Sequence, residues 1–222
     1  MPEDRVVAVF PLPDVVFFPR TILPLHVFEM RYRAMMKDAL AADHRLAVAL
    51  LRPGWQADYQ RSPAFHEVAT VGRIDALEMT RDGRYHFRLV GETRVKLGEV
   101  VQETPYRLVR YEPFPEAPID DGDPDIQRAK LDLLASHGCL VRELTSREGP
   151  GLVLDDAIPF EAAVNGACAG LPAEPQVRQQ LLETSDLLER YARAAELLDE
   201  VLQRVLHLKS LRSRDEGDSG IN

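Results

Sequence analysis

The side chains that could do chemistry in this 222-residue chain are scattered rather than gathered. His66-Glu67 opens like the two-histidine helix of a zinc protease, but Thr70 stands where the second histidine would share the metal. His26 and Glu29 have the spacing of one helix turn, yet a metal there needs further ligands, and His44, His66, His86, His137 and His207 are spread along the chain. Cys139 and Cys168 are too few for a disulfide framework or a four-ligand zinc site. Cys168 reads as a small hydrophobe on a helix face. Neither a G-x-x-x-x-G-K-[ST] phosphate loop nor a G-x-S-x-G nucleophile elbow occurs. We therefore expect a non-enzymatic protein with no metal and no cofactor, and Glu29 and Arg31 as residues that cap and brace a helix. A hydrolase built on another pattern would show itself as a buried polar cluster with perturbed titration.

Recognition chemistry is easier to place. Trp55, Tyr59 and Phe65 lie in or beside a polar loop, and Phe17 and Phe18 stand at a proline corner. These five are the candidate anchors for an extended polypeptide. Core packing explains each of them equally well. A second set, His86, Arg88, Arg94 and Lys96, falls on one face of a strand and could meet phosphates. A sequence pI near 5.2 and the lack of a basic-aromatic cluster oppose nucleic-acid binding, and a solvated sheet face is the plain alternative for those charges.

The elements that must position these residues begin with two apolar runs punctuated by Pro11, Pro13, Pro19 and Pro24. Proline lacks the backbone donor, so the runs cannot be central strands over their whole length; they read as short strands joined by fixed corners in a small curved barrel. The second run enters a helix, with Glu29 facing its N-terminal dipole and Tyr32, Met35, Met36, Ala39 and Leu40 at helical spacing. Leu46–Leu51 and Val68–Ile74 read as strands. Asp82-Gly83 predicts a type I′ hairpin turn. The alternation from Tyr85 to Leu97 puts Tyr85, Phe87, Leu89, Gly91, Thr93, Val95 and Leu97 on one face, with Gly91 where a long strand would bend or bulge. Tyr106–Tyr111 supplies the last strand.

Charge and periodicity then change together. Residues 1–118 carry 16 Lys+Arg and 16 Asp+Glu; residues 119–222 carry 11 and 20, which is the whole formal net charge of −9. The proline-rich stretch 113–118 marks this boundary. Beyond it, Asp123-Pro124 caps a helix, Gly149-Pro150-Gly151 breaks the chain, and a second apolar stripe runs from Phe160 to Leu171. Pro175 opens a short helix. Asp186 and Glu189 start a long one, whose Leu187, Tyr191, Ala194, Leu198, Val201, Val205 and Leu208 form a coiled-coil-like seam that packs internally or between two copies. We expect a lobe over 1–118, a helical lobe over 119–213 and a disordered tail over 214–222. The N-terminus has no secretory pattern and no apolar run approaches the ~18–20 residues that span a bilayer, so a soluble, cytoplasmic protein is expected.

Phe10-Pro11-Leu12, Phe18-Pro19 and Leu23-Pro24-Leu25-His26-x-Phe28-Glu29-x-Arg31-Tyr32 resemble the N-terminal substrate-binding domain of Lon-type ATP-dependent proteases, most closely small bacterial proteins made of that domain alone. Val71-Gly72-x-Ile74, Asp82-Gly83-Arg84, Gly91-Glu92-x-Arg94 and Gln179–Glu183 continue the likeness. Arg20 stands where that family usually has Gly, and Val95 where it more often has an aromatic. The resemblance implies an α+β fold: a PUA-like, Lon-type β-barrel with one helix, followed by an α-helical bundle with a long last helix. It implies a polypeptide-binding module without the ATPase and protease parts, acting as an adaptor or holdase for unfolded or tagged proteins, with a Lon-type protease or its clients as partners. Because PUA-like barrels occur in RNA-binding proteins, RNA is the alternative ligand.

Overall fold

A computed structural model describes residues 5–58, 62–145 and 158–218, with side chains through residue 211. Its described residues form two compact units. The first holds six strands: β1 (Val6–Leu12), β2 (Ile22–Val27), β3 (Arg45–Leu50), β4 (Val68–Met79), β5 (Tyr85–Gln102) and β6 (Arg107–Pro113). It also holds helix α1 (Met30–Ala41) and a 3₁₀ turn at Trp55–Asp58. The sheet order is β2-β5-β4-β3-β1-β6, and β5 pairs again with β6. Five strands thus close on themselves, and β2 is added along the first half of β5. Register shifts interrupt the β4–β5 and β5–β6 ladders, so the ring is not a regular barrel.

The apolar runs are continuous because β1 and β3 are buried on both faces. Val7 and Val9, Ala47 and Ala49 join Ala69, Val71, Val95, Leu97 and Val109 in one cluster drawn from all five ring strands. Such small residues suit the narrow inside of a small barrel. Ala8, Phe10, Leu46 and Val48 point the other way and meet Tyr32, Met35, Met36 and Ala39 of α1. Met35 and Met36 are fully buried there, each worth about 1.5–3 kcal/mol. The prolines take positions the ladder tolerates. Pro24 lies on the edge strand β2, and Pro11 lies beyond Val9, where β6 ceases to pair with β1.

The single face expected for β5 is split. Phe87 and Leu89 join the layer against α1, whereas Val95 and Leu97 face the ring's interior. The change falls at a bulge, where Val71 pairs with Thr93 but Gly72 pairs with Gly91. Both glycines are needed. A Cβ on Gly72 would lie 2.7 Å from Phe17 Cε1, and one on Gly91 would lie 2.3 Å from the Phe18 carbonyl oxygen. The bare backbone there receives the segment 16–21, held by Arg20 N–H to Gly91 O and Gly91 N–H to Thr21 O, each 2.9 Å. Arg20 takes φ +62°, so the left-handed geometry survives without glycine. The hairpin turn also differs from expectation. Only Gly83 has positive φ, and Gly83 N–H bonds Thr80 O, so this is not a type I′ turn.

The second unit comprises residues 118–172 and 186–222, containing α2 (Pro124–Thr145), α3 (Phe160–Gly170) and α5 (Leu187–Asp218). Residues 173–185, with α4 (Pro175–Glu183), belong to the first unit instead of the helical lobe expected for them. Asp123 Oδ1 accepts the Asp125 N–H and Asp186 Oδ1 the Leu188 and Glu189 N–H groups, so both predicted caps form. Arg190 is fully buried and donates to Asn165 Oδ1 at 2.8 Å. The seam on α5 is buried at Leu187, Ala194 and Leu198 and opens at Leu208. The helix runs to Asp218, past the expected start of the tail at 214. The break at Gly149-Pro150-Gly151 and residues 219–222 lie outside the described residues.

Gly91→Ala should therefore destabilise the protein by about 2 kcal/mol, the middle of the range for overpacking. Gly98→Ala, whose Cβ would sit 3.5 Å from Arg110 O, should cost nothing. Urea unfolding of the two variants checks this; equal midpoints would contradict the cradle.

Candidate functional site

Phe17 and Phe18 are buried, Phe17 with its ring against Gly72 and Phe18 with its backbone carbonyl against Gly91. The proline corner turns both into the core, so their expected role as surface anchors is corrected. Phe65 is half-buried; it bridges to Leu51, packs on the interior cluster and lies 4.4 Å under the Arg107 guanidinium. Trp55 is half-buried at the start of the 3₁₀ turn, its N–H on Arg52 O. Tyr59 lies outside the described residues.

The largest exposed apolar side chains of this unit lie elsewhere. Phe28 is 60 % exposed, Met30 73 % and Met79 65 %. Register places Val27, Tyr85 and Met79 side by side across β2, β5 and β4. Phe28 follows Val27 and tilts against His26, which stacks on His86 with centroids 4.1 Å apart. Met30 Sδ accepts from Arg33, whose guanidinium covers Gly83 in the β4–β5 turn. One end of the sheet therefore carries Phe28, Met30 and Met79, with the exposed Leu77 beside them, next to β2, whose outer edge no described strand covers. Pro24 removes a donor from that edge, which favours side-chain anchoring over strand addition. Phe28 and Met30 could have been suspected from the sequence, since both flank Glu29 where a strand gives way to a helix.

The basic set expected to meet phosphates is not one surface. Arg94 is 2 % exposed. Its Nη1 donates to Leu182 O (2.7 Å) and Thr184 O (2.8 Å), its Nη2 to Ser185 O (3.4 Å), and Nε lies 3.1 Å from Glu116 Oε1. The Phe114 ring stacks on the guanidinium at 4.6 Å and receives Lys96 Nζ at 4.7 Å. Arg88 is paired with Asp75 at 2.8 Å. Arg94 thus satisfies carbonyls that the end of α4 leaves open, with a cation at the negative pole of the helix.

The same helix is held along its length. Gln179 Nε2 donates to Val68 O at 2.9 Å, and Gln176 and Glu183 take the two ring nitrogens of His66 at 3.1 Å each. His66, Glu183, Arg52, Glu67, Lys96 and Phe114 line an open groove of about 600 Å³. Both ring nitrogens of His66 are engaged by α4, which makes it a fastening and leaves no nitrogen for a substrate. Among the described residues no group of three His, Cys, Asp or Glu converges as metal ligands. No described helix is long and apolar enough to cross a membrane. Elsewhere, Tyr106 donates to Asp38 Oδ2 at 2.7 Å, and burial with this bond pushes its phenol up to about 12.

Comparison with solved structures defines the class. The N-terminal domain of Mycobacterium avium complex Lon protease superposes with a TM-score of 0.63 at 18 % identity, covering 88 % of this chain and 98 % of that one. The Lon N-terminal domain protein from Xanthomonas campestris gives 0.56 at 22 %, covering 85 % and 96 %. The fold is that of Lon N-terminal domains. Residues 6–200 match the family model for the ATP-dependent protease La (LON) substrate-binding domain, and the chain belongs to that family. The Lon protease of Anaeromyxobacter dehalogenans is 27 % identical over 197 residues, covering 87 % of this chain and 23 % of that protein. Lon protease 2 of Myxococcus xanthus is 27 % identical over 198 residues, covering 88 % and 24 %. The chain thus spans about a quarter of the length of these relatives.

Two outcomes follow from these contacts. Arg94→Met should cost at least about 3 kcal/mol, because Glu116 and three carbonyls lose their buried partner; amide exchange should show α4 opening before the strands. A loss below about 1 kcal/mol would mean the clamp is dispensable. For Tyr106, the folded phenol ionises later than the unfolded one at 10.0. Its contribution to stability is complete below pH 10 and fades as pH rises from 10 toward 12. The stability profile of Tyr106→Phe should be flatter over that window, whereas parallel profiles would contradict the shift.

Proposed function

We propose that this chain is a non-enzymatic polypeptide-recognition module, and that it takes extended apolar segments at the end of the sheet formed by Phe28, Met30 and Met79. The observation that carries the reading is this exposed apolar group at one end of the sheet, in a family described as substrate-binding. Aromatic and Met side chains supply contact area without demanding one partner shape, which suits clients that differ in sequence. Trp55 is a second anchor in this reading. An adaptor or holdase role for unfolded or tagged proteins, in concert with a Lon-type protease, follows from the same chemistry.

RNA remains the competing ligand because cationic side chains occur on β5. Burial of Arg94 and pairing of Arg88 break the stripe that phosphates would need. Titration of a chemically unfolded protein and of a single-stranded RNA at two salt concentrations separates the readings. Binding of unfolded protein should vary little with salt, and Met30→Asp should weaken it at least tenfold, about 1.4 kcal/mol, with the fold intact. Phe28→Ala should act in the same direction. Tight, salt-sensitive RNA binding with no affinity for unfolded protein would reject the proposal.

A further inference from the structure

The first unit contains a smaller cavity, about 130 Å³, lined by residues that the surface described above does not use. Val9, Pro11 and Tyr32 line it on one side and the segment from Glu103 to Arg107 on another. Arg107 is only 9 % exposed. Its Nη1 donates to Pro63 O at 2.7 Å and its face lies on the Phe65 ring. No carboxylate among the described residues lies at ion-pair distance from it; burial pulls its guanidinium below the usual arginine value, Tyr32 and Glu103 act against that shift, and Arg31 adds to it. Arg31 lines the same cavity, stacked over Tyr32 at 4.6 Å and paired with Glu29. Glu103 is at the rim and accepts a hydrogen bond from Ser62.

Buried cations are normally paired, because the desolvation they suffer must be offset by an opposite charge. Arg94 meets that requirement through Glu116 at 3.1 Å; Arg107 has only the more distant charge of Glu103 in its favour, with Arg31 opposing it and no carboxylate at ion-pair distance among the described residues. Arg107 lines a cavity together with Arg31, which is paired with Glu29, and with Glu103. A planar guanidinium presents parallel donors that match a carboxylate. We propose that this cavity is a carboxylate-binding site, and that it holds a carboxylate of the bound polypeptide, either a free C-terminus or an acidic side chain. The identity of the occupant rests on the polypeptide-recognition reading; the affinity of the cavity for a carboxylate does not.

The first arm of the test uses acetate as probe against chloride at equal ionic strength, read by amide chemical shifts of the full chain. Acetate should move the amides of Arg31, Tyr32 and Thr104–Arg107, and Arg107→Gln should abolish the response. If that variant fails to fold, Arg31→Gln should raise the acetate Kd several-fold. The second arm uses one apolar peptide in three forms: free C-terminus, amidated C-terminus, and amidated with one internal Asp. At least tenfold tighter binding of the first identifies a terminal carboxylate, and of the third an acidic side chain. Acetate shifts with no peptide binding would keep the site and remove the polypeptide reading. Equal binding of all three peptides with no acetate response would overturn the site and keep that reading.

Discussion

A buried guanidinium carries much of this structure. Arg94 is taken out of water in the wall of the ring, where an unpaired cation would be costly, and it is compensated by three carbonyl groups, one carboxylate and one aromatic face. Arg94 itself lies on β5, and those partners come from the stretch after β6 and from the end of α4, so three elements far apart in sequence meet at the charge. The charge can be satisfied only if all three are in place. A short helix with a modest apolar face is thereby fixed to the sheet, and His66 and Val68 complete the attachment along its length.

A second constraint is steric. Gly72 and Gly91 stand opposite each other, and the absence of two side chains lets the segment 16–21 lie directly on the sheet. Phe17 and Phe18 are drawn inside by this approach. The bulge at the same place turns β5 from the layer against α1 to the interior of the ring. Phe28, Met30 and Met79 remain outside both clusters, as do Ile22 and Leu77.

Much of the fold was legible because periodicity and punctuation agree. The alternation in β5, the glycine at its bend, the proline corners and the caps at Asp123 and Asp186 are local signals with local causes, and the residues that carry the family resemblance coincide with them. The site was less legible. Arg94 reads as one of several cations on a strand face, and only its contacts with residues 88 to 91 positions away reveal its burial. Surface anchoring and core packing both fit Phe17 and Phe18 in the sequence, because nothing local shows that two distant glycines make room for them. The placement of α4 with the ring was missed for the same reason, since charge and periodicity assign it to the helices around it.

The central claim is that the end of the sheet near Phe28 meets unfolded polypeptide. Amide chemical-shift mapping of the full chain during titration with a chemically unfolded protein tests it most directly. Perturbation is expected over Val27–Arg33 and Leu77–Tyr85, with little change in α2, α3 and α5. Perturbation confined to those three helices, or none at saturating polypeptide, would contradict it.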